Sequence, residues 1–196
     1  MEDSLALKVI NTYLSLHQGI FAFSSKLSHS QLTWQAKPDS LPIAFYLWHL
    51  GRWADHLQAS LPGMTAELSK RFPPGQQLWD ENKKSQPWVS FSDALGYAET
   101  GMSMDESAAA QLQFPPKEIL LDYVNQAFAA VERLVLQIDE IQFQMEEQPQ
   151  PITEGIWSLG GTVGDAIIAH LIHDSRHLGM MECLLGLQSG SGSVTG

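Results

Sequence analysis

The stretch Ala169-His170-Leu171-Ile172-His173-Asp174-Ser175-Arg176-His177-Leu178-Gly179 carries three histidines at helical spacing. At roughly 100° per residue, His173 and His177 differ by about 40° around a helix and stand about 6 Å apart along it, so both imidazoles can reach one cation. His170, His173 and His177 fall at i, i+3 and i+7, together with Ala166, Met180, Met181 and Leu184, on what would otherwise be the buried stripe of a helix. A histidine on an apolar face is more often a hydrogen-bonded core residue than a ligand. Three in one stripe shift that balance, because burying so much polarity is costly unless something satisfies it. A metal ion would do so.

Two ligands rarely suffice. A third nitrogen is available at His49, inside the run Ile43-Ala44-Phe45-Tyr46-Leu47-Trp48-His49-Leu50-Gly51-Arg52-Trp53, which reads as a helix too apolar to lie on the surface. One histidine from that helix and an i, i+4 pair from the other give three nitrogen ligands with one or more positions open, the mark of a catalytic rather than a structural site.

Working outward, the periodicity is helical almost throughout. Leu5, Val9, Ile10, Tyr13, Leu14, Leu16, Ile20, Phe21 and Phe23 predict a first helix over about residues 4–26. A second starts near Pro42, a residue tolerated in a first turn, and stops at Pro62-Gly63. Residues 64–114 mix turn formers with aromatics and admit only short helices. A connection this long in a compact domain usually serves function or wraps a site. The third helix opens at Pro116 and shows a buried face to about Ile141, and the fourth runs from about Thr162 to Leu187. No strand-period run, internal repeat or phosphate-binding glycine loop is present. The expected fold is therefore all-α: a four-helix bundle with a long irregular connection between helices two and three, forming one domain over residues 1–188. The Ser/Gly-rich residues 189–196 form a flexible tail by composition. Bundles build metal sites from side chains on facing helices, which suits His49 opposite His173 and His177.

Composition excludes several classes. The chain is long enough, at 44% hydrophobic residues, for a full core. No apolar run approaches the length that spans a bilayer, and Met1-Glu2-Asp3-Ser4 lacks the basic start of a signal peptide, so no membrane partner and a cytoplasmic location are expected. With 22 acidic against 11 basic residues the net charge is -11, which repels a phosphate backbone and argues against nucleic acid as a partner. The single cysteine, Cys183, excludes an intramolecular disulfide and reads as a small buried apolar side chain.

At Ile43–Asp55 and His170–Gly179 the sequence resembles the DinB-like superfamily of four-helix-bundle metalloproteins, which includes mycothiol-dependent maleylpyruvate isomerases and bacillithiol transferases. The first segment resembles that family's histidine-bearing second helix and the second its paired-histidine fourth helix. The resemblance implies a divalent metal, zinc or nickel, on His49, His173 and His177, and often a homodimer; apolar faces on helices one and three beyond what one core consumes point the same way. It also implies a small-molecule substrate and a low-molecular-weight thiol that binds as thiolate and attacks an electrophile. Many relatives carry glutamine directly after the glycine that follows the paired histidines, where this chain has Met180.

Other residues have lesser parts in this reading. His170 is expected as a partner that orients the ligand histidines or as a hydrogen-bonded core residue. Trp48, Trp53 and Trp88 are pocket-wall candidates, although aromatics on a bundle helix usually form core. Arg52 and Arg176 could receive an anionic substrate, with salt bridging as the default. Asp55, Asp165 and Asp174 could hold ligand imidazoles, with solvation as the default, while His17 and His29 have no partner in the sequence. No carboxylate has a context that marks it as a general base. Hydrolysis by metal-bound hydroxide is the enzymatic alternative, and a non-catalytic, stress-related metal- or ligand-binding bundle is the alternative of a different class.

Overall fold

A computed structural model describes residues 4–79, 100–147 and 161–190. The elements in order are α1 (Leu5–Ser25), α2 (His29–Thr33), α3 (Ile43–Ser60), a 3-10 turn (Leu61–Gly63), α4 (Ala66–Arg71), α5 (Glu106–Ala110), α6 (Lys117–Val135), α7 (Glu140–Phe143) and α8 (Val163–Ser189). The fold is all-α, with no strand among the described residues beyond one isolated bridge between Glu146 and Thr162. Among those residues, no helix is long and apolar enough to cross a membrane.

The four long helices form a ring in the order α1, α6, α3, α8, with α3 packed most extensively on α6. Their ends follow local chemistry. Ser4 caps α1 by accepting from the Leu7 amide. Thr162 and Asp165 cap α8 reciprocally, the Thr162 hydroxyl accepting from the Asp165 amide and the Asp165 carboxylate from the Thr162 amide. Asp165, a candidate partner for a ligand imidazole, is thus occupied in capping. Gly190 closes the same helix at φ 68°.

Three sequence expectations need correction. The third helix ends at Val135 rather than near Ile141, because Asp139 and Gln142 form a second capping box that starts α7. Ile138 still packs inside, which preserves the apolar spacing across the break, whereas Ile141 is 73% exposed. Cys183 is exposed rather than buried, on the distal half of α8 beyond the well-buried part of the helix. Ser189, placed in the tail, belongs to α8; residues 191–196 lie outside the described residues, as does Trp88.

Glycine lets the connection after α3 pass close against the bundle at Gly75 and at Gly101. A Cβ on Gly75 would lie 2.2 Å from the Ala59 carbonyl oxygen, so the chain can cross the end of α3 only as glycine. Gly101 sits at φ 85°, and a Cβ there would meet the Trp48 ring at 2.8 Å. That close crossing lays residues 100–104 over α3, beside His49.

Candidate metal centre

Residues Phe45, Tyr46, His49 and Trp53 share one face of α3, and this face meets Ala169, His170, His173, Arg176, His177 and Met180 of α8 around a cavity of about 440 Å³. One ring nitrogen each of His49, His173 and His177 lie within 4.8 Å of one another. The His49 and His173 rings are centred 5.0 Å apart and those of His173 and His177 4.4 Å apart.

The hydrogen bonds fix the tautomers of two of these rings. His49 Nδ1 is bonded to the Thr100 carbonyl, which only accepts, so Nδ1 carries the proton and Nε2 a lone pair. His173 Nδ1 is 2.9 Å from Asp174 Oδ1, again an acceptor, so Nδ1 carries a proton and, in the neutral ring that ligates a metal, Nε2 carries the lone pair. The two Nε2 atoms face each other at 3.0 Å. That separation suits ligation, because two nitrogens each about 2.0–2.1 Å from one ion stand roughly 3 Å apart. His177 Nδ1 is buried without a hydrogen-bond partner among the described residues. Three nitrogen donors, two held in the ligating tautomer and one with no other bond, fit a divalent ion.

Burial keeps His49 and His177 uncharged. Desolvation, then repulsion from the neighbouring histidines, pushes His49 down to about 3 and His177 to about 4. His170, also buried, is lowered to about 3. Neutral imidazole is the form that binds a metal.

Asp174 is 1% exposed. Burial opposes its charge, but hydrogen bonds from His17 and His173 hold its carboxyl well below the usual carboxylate range. Its second oxygen, Oδ2, lies 3.2 Å from His17 Nε2, and His17 Nδ1 lies 2.9 Å from Glu132 Oε1. His17 is itself 1% exposed and stacks on Phe128 at 3.8 Å. Burial works against its charge too, yet the hydrogen bonds to Asp174 and Glu132 outweigh it, and the His17 pKa is raised. The sequence reading left His17 without a partner and Asp174 to solvent. A signal existed in the spacing of Tyr13, His17, Ile20 and Ser24, which puts His17 on the buried stripe of α1.

Of the residues expected at the pocket, the structure brings His170, Trp53 and Arg176 to the cavity wall and adds Met102, Ser103, Met104 and the exposed Glu106 from the central connection. Trp48 and Arg52 are not on that wall. They lie roughly 60–100° around α3 from His49, on the stripe packed against α6. Trp48 is core, beside Phe45, Trp79 and Phe114. The Arg52 guanidinium donates to Asp55, Tyr123 and Gln77 and covers the Trp79 ring at 4.4 Å. Met180, in the place of the relatives' glutamine, lines the cavity.

The fold and this cluster define a class, a helical bundle with a candidate three-histidine metal centre. Residues 18–181 match the family model of the DinB superfamily, and the chain belongs to that superfamily. Among solved structures, it is similar to a conserved protein from Enterococcus faecalis, with a TM-score of 0.66 at 17% identity over 96% of this chain and 99% of the other. None of the curated proteins compared with it matches.

Proposed function

We propose that the protein is a divalent-metal enzyme that activates a low-molecular-weight thiol for transfer to, or isomerisation of, a small electrophile. The observation that carries this reading is the pair of facing Nε2 atoms of His49 and His173 at 3.0 Å, beside His177 and open to the cavity. A zinc or nickel ion held there would lower the pKa of a bound thiol or water and polarise a carbonyl. The protein's own contribution is to hold the donor tautomers through Thr100 and Asp174 and to surround the reacting groups with Phe45, Tyr46, Trp53, Met102, Met104 and Met180. Such an apolar, polarisable wall suits a thiol and an electrophile better than a strongly hydrated substrate. Arg176 at the wall is placed to meet an anionic group. Hydrolysis is favoured by one observation, the carboxylate of Glu106 on the same wall.

The experiment is metal analysis of protein purified without a histidine tag, followed by thiol conjugation to a panel of electrophiles by metal-loaded and metal-free forms. Turnover that needs both metal and thiol is the expected result. Turnover with metal alone would establish the hydrolase, and full metal content without turnover would leave a binding protein.

We also propose a homodimer, supported by exposed Leu5, Leu7 and Phe21 on α1 and Ile119 on α6. Light scattering at micromolar concentration should give twice the 21.7 kDa chain mass; a monomer mass would refute it.

A further inference from the structure

We propose that His17, across the bundle from the three-histidine cluster, is a positioning residue for the metal centre: it clamps the Asp174 carboxylate that orients His173 and so sets how strongly that imidazole donates. The inference rests on the metal reading given above.

The clamp is built from three helices. His17 of α1 is wedged between Glu132 of α6 at 2.9 Å and Asp174 of α8 at 3.2 Å. An ionised carboxylate only accepts hydrogen bonds, so a ring flanked by two of them must donate from both nitrogens and is an imidazolium. It lies flat on Phe128, at an interplanar angle of 5°, where the ring face favours a cation. Each Asp174 oxygen then has one donor, His17 on Oδ2 and His173 on Oδ1. A carboxylate on the distal N–H of a ligand histidine fixes the ring and raises its basicity. A donor on the other oxygen of the same carboxylate holds it in the rotamer that makes that bond, so the His173 ring is loosened when the donor is lost. His17 thereby links the donor strength of His173 to a contact on the opposite side of the bundle.

That contact reaches the surface. His17, Phe21, Asn125, Phe128 and Glu132 line a cleft of about 230 Å³ between α1 and α6, and the Glu132 side chain is 27% exposed. The chain of hydrogen bonds therefore runs from an outer cleft through Glu132, His17 and Asp174 to His173, without using the substrate cavity.

The test uses the full chain loaded with Co(II), whose visible ligand-field bands report donor strength and geometry. His17→Gln and Glu132→Gln are compared with the parent and with the exposed-site control His29→Gln, by spectrum and by competition with a chromophoric chelator. His17→Gln is expected to move the bands and to lower Co(II) affinity by the ~10–100-fold typical of a group that supports a ligand. Glu132→Gln, at a partly exposed position that leaves His17 in place, should move the bands in the same direction by less. His29→Gln should leave both readouts at parental values. A folded His17→Gln protein with the parental spectrum and affinity overturns the proposal; if that variant does not fold, an unmoved spectrum in Glu132→Gln overturns it instead. A parent that binds no Co(II) sinks the metal reading itself, and this inference with it.

Discussion

His177→Ala is expected to lower divalent-metal affinity by about two to four orders of magnitude while leaving the helices intact. A histidine and cysteine site binds zinc with an apparent free energy of roughly 10–16 kcal/mol, and one nitrogen of three or four carries about 3–5 kcal/mol of it. At about 1.4 kcal/mol per tenfold, that gives the stated range. His177 is the cleanest of the three positions because its buried Nδ1 makes no hydrogen bond among the described residues that the substitution would break. His173→Ala should cost as much affinity and also some stability, since it leaves Asp174 Oδ1 buried without its donor. His170→Ala, which alters the wall but no proposed ligand, should cost at most about 10–100-fold. Chelator competition measures all three, with circular dichroism as the check on folding. Full metal content in both His173→Ala and His177→Ala would remove the three-histidine assignment.

What could be read from the chain depends on how far apart the interacting groups lie in sequence. The face shared by His173 and His177 follows from helix geometry alone, and the buried nature of the helix around His49 follows from its apolar run. Both are local properties, and periodicity reports them. The groups that hold these rings are not local. Thr100 reaches His49 only because Gly101, at positive φ, turns the connection over Trp48. His17 meets Asp174 across 157 positions of sequence. A lone histidine in an apolar stripe announces that it needs partners but not where they are. Apolar spacing also runs past the point where burial stops. Ile141 and Leu187 keep the helical rhythm, yet both are exposed, because a capping box ends the register in one case and the distal half of α8 has fewer neighbours in the other.

Asp55→Ala should be the most destabilising single substitution on α3, by about 3–5 kcal/mol, the range for removing one partner of a buried ion pair. Solvation is the default expectation for a lone aspartate on a helix, but Asp55 is fully buried. Its Oδ1 accepts from the Leu78 amide at 2.8 Å and from Gln58 Nε2 at 3.0 Å. Its Oδ2 accepts from the Trp79 amide at 2.9 Å, the Tyr123 hydroxyl at 3.1 Å and Arg52 Nη1 at 3.3 Å. Burial raises the Tyr123 pKa, so that hydroxyl remains a donor. One carboxylate thus fastens α3 to α6 and to the chain at residues 78 and 79, and alanine would take this carboxylate away from the buried Arg52 guanidinium. Chains of this size lose about 2–4 °C of melting temperature per kcal/mol, so the expected fall is roughly 6–20 °C. The double substitution Arg52→Met with Asp55→Leu should recover part of it, because removing both charges also removes the cost of burying one alone. Recovery is what separates a buried charge from a merely deleted contact: if the double variant melts below Asp55→Ala, Arg52 stabilises through its bonds to Tyr123 and Gln77 and not through the pair, and if Asp55→Ala melts with the parent, the network is not an anchor of α3.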